Sequence, residues 1–257
     1  MKILEPLISK IHIILQPTQN GIQVDGLLFK NGNVRKRFPA QVIEGKEALE
    51  REVKRLSREG ALSYVSVLES EAKQGVVSSC SGEAIEALTE SEVVCIEKRW
   101  GLYIDKDDLF ERQKAFRYVG LDLLFSPFSI LHNFFKNRIN SEDGLYLLLT
   151  EGFIAAVVFK EQKALFGAYE LLDERHHLLD SSKMLQRYVE SVQGCIKTFY
   201  DTKIDESMFI EHVSIADTLS FDTRLENSLE EVLFTEVTRE EIDLGLELAL
   251  LAEKEVS

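Results

Sequence analysis

Residues Leu145–Leu172, LYLLLTEGFIAAVVFKEQKALFGAYELL, form the most apolar run of the chain, and they divide into three short strands joined by tight turns. LYLLL and FIAAVVF are unbroken apolar rather than alternating, the pattern of strands covered on both faces. Lys160-Glu161-Gln162-Lys163 supplies a polar turn, after which Ala164–Tyr169 returns as an antiparallel partner. An earlier stretch follows the same rule. Ile11–Leu15 is followed by Gly21–Lys30, and Asn31-Gly32-Asn33 turns the chain into Val34–Phe38. The two Gly-to-Phe-Lys strands, Gly21–Lys30 and Gly152–Lys160, match in character, so the chain reads as one plan used twice.

Working outward, Glu44–Glu59 carries Leu49, Val53 and Leu56 on one helical face, with Gly60 placed to end the helix. Tyr64–Leu68 is the next strand. Three hairpin strands, a helix and a strand parallel to the first open a ribonuclease H-like unit. Ser81 caps a short helix within the ill-defined Gly75–Ser91 stretch. Val93–Ile96 and Gly101–Ile104 are strands, and Asp105 caps a helix running to about Val119 with Leu109, Phe116 and Val119 inward. Leu121–Phe125 is a strand, Phe128–Lys136 a short helix, and the polar Asn137–Gly144 a boundary. This predicts an α/β fold of two lobes, 1–140 and 141–257, each a three-strand antiparallel hairpin set followed by helices and parallel strands.

In the second half, Leu185, Tyr188, Val189, Val192, Ile196 and Phe199 keep helical spacing through Asp180–Tyr200. Met208–Ile215 is strand-like, and Leu229–Val237 holds a helix end and a strand. Thr238-Arg239-Glu240-Glu241 has the form of a capping box and predicts a final helix starting there. That helix has Ile242, Leu246, Ala249 and Leu250 on one face and Leu244, Leu248 and Leu251 on the other. Either both faces are buried, or an apolar row is free for self-association.

With 257 residues, 45% of them hydrophobic, the chain can bury a sizeable core. A net charge of −14 argues against nucleic acid and anionic lipid as partners and favours a neutral or basic protein. Three scattered cysteines, Cys80, Cys95 and Cys195, fit a reducing compartment better than a disulfide framework, so a cytoplasmic location is expected. The first residues do not read as a signal peptide and no apolar run is long enough for a membrane span, so any anchor would lie beyond Ser257 or in a partner.

Candidate chemistry is sparse. Cys80 precedes a helix N-terminus, the setting that activates a thiol, but only His12 and His132 are available as partners, and a structural thiol is the preferred reading. His176-His177 are adjacent, which points two imidazoles apart and reads as a surface turn. Asp105, Asp107 and Asp108 suit the first turn of a helix better than a cation site. Phe128, Phe134, Phe135 and Leu131 either close the first lobe's core or line a groove at the lobe junction; core is preferred.

The run Gly101-Leu102-Tyr103-Ile104-Asp105-Lys106 plus a helix, then Val119–Pro127 and another helix, then the hairpin from Leu145, resembles the actin-like superfamily. It is most similar to the degenerate actin-like proteins of type IV pilus and type II secretion inner-membrane platforms. Actin-like ATPases carry an Asp-x-Gly phosphate loop in each hairpin, where backbone amides hold phosphate and the Asp holds metal and water. Here those places read Gln16-Pro17-Thr18 and Thr150-Glu151-Gly152. Glu151 beside Gly152 reads as a solvated turn residue rather than a substitute for the Asp. The resemblance therefore implies a scaffold, not an enzyme, with no catalytic, cofactor or metal residue assigned. Its partner would be the short tail of a platform protein or the assembly ATPase of a pilus, DNA-uptake or secretion machine at the inner face of the inner membrane. The alternative is an actin-like or sugar-kinase-like ATPase with an atypical phosphate loop.

Overall fold

The structure, a computed structural model, describes residues 8–18, 20–70, 73–172, 181–202, 204, 208–219 and 224–257. The chain opens with β1 (Lys10–Thr18), β2 (Gly21–Lys30) and β3 (Asn33–Ile43), an antiparallel meander, followed by α1 (Lys46–Ser57) and β4 (Leu62–Leu68). β4 runs parallel to β1, as the hairpin-helix-strand order predicts. Leu49, Val53 and Leu56 of α1 are buried against Ile11, Ile13 and Leu15. Gly60 acts differently from expectation: α1 already ends at Ser57 with Arg58 as its cap. What requires glycine is close approach, since a Cβ there would stand 2.8 Å from the amide nitrogen of Ile11.

The next stretch forms a separate small sheet. β5 (Gln74–Val77), α2 (Gly82–Glu86), β6 (Ser91–Ile96) and β7 (Trp100–Asp105) give an antiparallel sheet of order β5-β7-β6. Ser81 caps α2 by accepting from the Ala84 amide at 3.3 Å. β6 lies opposite β7 with Cys95 level with Gly101, and this register brings Cys95 to Cys80 as a disulfide across a Cα separation of 6.0 Å. The reading of Cys80 as a free structural thiol is therefore corrected, and the cysteine count no longer argues for a reducing compartment. Cys195 remains a buried free thiol.

α3 (Lys106–Phe116) and a 3-10 turn (Arg117–Val119) end at Gly120, whose φ of 75° is the left-handed cap that glycine permits. β8 (Leu121–Phe125) then joins β4 in parallel. α4 (Pro127–Phe134) and α5 (Lys136–Ile139) follow, and α4 packs on the second large sheet rather than closing the core of the first.

That second sheet contains β9 (Gly144–Leu149), β10 (Phe153–Lys160) and β11 (Lys163–Leu171), then α6 (Ser181–Thr202), β12 (His212–Asp217), α7 (Arg224–Leu233) and β13 (Glu236–Glu241). Leu145, Leu147, Leu149, Ile154, Ala156 and Val158 face Tyr188, Val192 and Phe199 of α6, while α4 covers the opposite side. Two covered faces explain the unbroken apolar runs. β13 overturns the capping-box reading. Thr238–Glu241 pairs in parallel with β12, and the Thr238 hydroxyl accepts from Arg138 at 2.8 Å. α8 (Leu244–Glu255) starts later, with Asp243 accepting from the Leu246 amide at 3.1 Å.

The two large sheets have equivalent orders, β3-β2-β1-β4-β8 and β11-β10-β9-β12-β13. Their compact units are not the sequential halves 1–140 and 141–257. One consists of Met1–Ser70, Asp107–Ser126 and Asp243–Ser257, the other of Glu71–Lys106 and Pro127–Ile242. The cause is packing: α8 lies on β1, β2 and β4, and the small sheet sets Val76 against Gly167 of β11. The apolar residues of α8 are buried or half-buried in the first unit, so of the two readings of this helix the structure has the one with both faces packed rather than a free row for self-association.

Candidate functional site

In sheets of this kind ligands gather at the carboxyl ends of parallel strands, where the strand order switches direction. Each unit has one such corner, and the two are built alike. At the first, Thr18 closes the β1-β2 turn by donating its hydroxyl to the Gly21 carbonyl at 3.0 Å. At the second, Thr150 donates in the same way to Phe153 at 2.9 Å. In both, the neighbouring parallel strand ends in an acid one register step before the threonine. Asp217 pairs with Leu149, and extending the Leu15 to Val67 register sets Glu69 level with Pro17.

Both acids are buried and tied to arginines. The Glu69 carboxylate is 1% exposed, and Arg112 of α3 places Nε 2.6 Å from its Oε2. The Asp217 carboxylate is also 1% exposed. It accepts the Leu219 amide at 2.6 Å and Arg239 Nε of β13 at 2.8 Å, and Glu226 stands 3.8 Å from the same guanidinium. A buried carboxylate needs such partners, because desolvation without them costs several kcal/mol, of order 3–5 when one member is removed. The Tyr188 hydroxyl donates to the Thr150 carbonyl at 2.8 Å and anchors the second turn to α6. Burial, with the nearby Asp217 and Glu151 charges, pushes that phenol well above its ordinary value.

The first unit holds two more buried polar groups beneath α8. Asp25, fully buried in β2, accepts from Arg37 at 3.1 Å, Gln23 at 3.0 Å and Gln16 at 3.3 Å. Arg37 also binds Asp243, the cap of α8. Fully buried His12 has Nε2 2.8 Å from Glu253, which also accepts from Lys10 at 3.2 Å. Burial lowers the His12 pKa, against the opposing pull of Glu253.

The residues singled out in sequence are scattered. Cys80 is in the disulfide, His12 lies under α8, and His132 packs edge-on to Trp100 at 5.4 Å. His176 and His177 lie outside the described residues. Asp107 and Asp108 occupy the first turn of α3. Glu151 is exposed at the second turn. Phe128, Leu131 and Phe135 are buried in the second unit. Glu69, Asp217 and their arginines were missed, although YVSVL-Glu and VSIA-Asp each show one acid ending an apolar strand.

On the second unit's surface an open depression of about 420 Å³ is lined by Glu142, Asp143, Glu161, Glu211 and His212. Another, of about 430 Å³, lies among Gln193, Gly194, Ile196, Lys197 and Leu233. No helix among the described residues is long and apolar enough to cross a membrane.

The chain has the actin-like ATPase fold. A Bacteroides thetaiotaomicron protein described as having that fold and unknown function matches 94% of this chain and 95% of its own, at 10% identity and a TM-score of 0.57. A "PilM-PilN type IV pilus biogenesis complex" matches over 94% and 98%, at 14% identity and a TM-score of 0.60. Residues 8–132 match the family described as "Domain of unknown function (DUF8569)", and residues 179–257 the one described as "Domain of unknown function (DUF8341)". No curated protein matches in sequence. The expectation that the chain is not an enzyme does not stand, since the fold it shares with the Bacteroides protein is described as that of an ATPase. Solved structures similar to it include a Clostridium difficile 2-hydroxyisocaproyl-CoA dehydratase activator with bound ADPNP, matched over 96% and 95% at 10% identity and a TM-score of 0.48.

Proposed function

We propose that the chain is a protein-binding adaptor of a membrane-associated pilus, DNA-uptake or secretion assembly, engaging a platform protein's tail or an assembly ATPase. The observation that carries this reading is the pair of corners: both strand-end acids, Glu69 and Asp217, are committed to Arg112 and Arg239. The likeness to the PilM-PilN complex over nearly the full length of both chains supports it, as does an acidic surface suited to neutral or basic proteins. Crosslinking a tagged chain in its native cells, followed by quantitative mass spectrometry, tests it. The expected result is enrichment of a membrane-associated protein whose synthetic tail binds the purified chain. Recovery of no such protein above a control bait would overturn the reading.

A second reading, an actin-like protein that handles nucleotide, is favoured by one feature, the exposed Glu151 beside Gly152 at the second turn. Thermal unfolding with Mg-ATP separates the two. Nucleotide at a hundredfold excess over its Kd would add about 2.7 kcal/mol to stability and raise the midpoint by several degrees.

A further inference from the structure

β3 is the outer strand of the first unit's sheet, and among the described residues it pairs only with β2. It is exposed along nearly its whole length, Phe38 being its one buried residue. Its charge is opposite to that of the chain. β3 carries three cations, Arg35, Lys36 and Arg37, and no acid, with Lys30 at the adjoining end of β2, in a protein of net charge −14. Side chains alternate along a strand, so these cations divide between its faces. Lys36 shares the α1 side with Phe38, where its Nζ is 4.1 Å from the ring centroid and 3.4 Å from the exposed Glu59, and Arg55 also approaches. Arg35 shares the other side with Arg37, which is held by Asp25 and Asp243. Arg35 and Lys30 have no ion-pair partner among the described residues.

We propose that Asn33–Phe38 is a docking edge that takes up an extended acidic segment of another protein as a sixth strand of this sheet. Its backbone groups supply the ladder, and cations above and below the sheet plane receive acidic side chains from both faces of the incoming strand. Pro39 has no amide hydrogen and ends the ladder, which leaves about six residues, or about 20 Å, for pairing. Guarding an edge against aggregation needs only a charge or two. Here Arg35 and the neighbouring Lys30 carry no compensating acid and the exposed Lys36 holds Glu59 only at 3.4 Å, so the edge goes further and selects the sign of the strand that may add. This edge is independent of whatever engages the two strand-end corners.

The test titrates the full chain with a fluorescent alternating Glu-Val peptide of about eight residues, and with a Glu-Pro peptide of equal charge that cannot form a ladder. Hydrogen exchange is followed at Asn33–Phe38. Saturable binding of the Glu-Val peptide, slowed exchange in that segment, and a loss of about tenfold or more in affinity for Arg35→Glu/Lys36→Glu are expected. Both substituted side chains are exposed, and the exchange result on the unaltered protein decides the matter even if the variant misfolds. Unchanged exchange at Asn33–Phe38, equal binding of the Glu-Pro peptide, or displacement by a single-stranded oligonucleotide or by a second copy of the chain would overturn the proposal.

Discussion

The two five-stranded units use the same strand order but fill their sheets differently. In the second, β9 and β10 are apolar on both faces, with helices on each side. In the first, β1 and β2 are apolar toward α1, but toward α8 they carry His12, Asp25 and Gln16, each with a partner. One topology thus tolerates a wholly apolar centre or a polar layer in which His12, Asp25 and Gln16 each make at least one hydrogen bond, though the buried Nδ1 of His12 makes none. The corners differ in the source of the neutralising arginine, helix α3 in one and strand β13 in the other, yet both end with a buried acid satisfied. Strand order is the shared constraint, and the side chains meeting it are free to vary.

Truncations in the two cores should expose this difference most strongly. Phe199→Ala, in the apolar second unit, is expected to cost about 3–5 kcal/mol, and Leu49→Ala in the first about 2–5. Chemical unfolding of each variant measures the cost. A loss below about 1 kcal/mol at Phe199 would break the claim that α6 closes that core.

Gly245→Ala probes the polar layer. The new Cβ would meet Asp25 Cγ at 2.9 Å and Oδ2 at 3.0 Å. Since Arg37, Gln16 and Gln23 fix that carboxylate, overpacking should cost about 1–3 kcal/mol. A smaller step, Tyr188→Phe, removes one buried hydrogen bond at the second turn and should cost about 1 kcal/mol.

The polar layer also predicts a pH response. The native His12 pKa lies below its ordinary 6.5, burial being the main cause, so the unfolded chain binds the proton first. The stability tied to a neutral His12 is full above about pH 6.5 and is lost as pH falls through that value toward the native pKa. Its slope is at most about 1.4 kcal/mol per pH unit. Urea midpoints measured between about pH 7.5 and 5.5 should fall, and His12→Gln should flatten the fall. Glu253, whose pKa is lowered by His12 and Lys10 despite its burial, contributes in a separate window below 4.5.

Much of the fold was legible because hairpins and amphipathic helices write their period into the sequence. The Leu145–Leu172 strands, the α1 face and the Tyr188–Phe199 stripe all fall where spacing places them. The capping-box reading of Thr238–Glu241 misled because Thr-x-x-Glu occurs in strands too, and here pairing with β12 prevails. The unit boundary was hidden for another reason: α8 returns to the first sheet across more than 170 residues, which no local pattern encodes. The disulfide and the Glu69-Arg112 and Asp217-Arg239 pairs are likewise long-range products of register. A lone acid ending an apolar strand was the available clue to the corners.

The central claim is that both corners spend their buried acid on an arginine. Double-mutant cycles test it most directly, with Asp217→Asn and Arg239→Leu in one unit and Glu69→Gln and Arg112→Leu in the other, read by urea unfolding. The account predicts coupling of about 2 kcal/mol or more in each pair. Coupling below about 0.5 kcal/mol in both would mean that the acids are free for another task, and would contradict it.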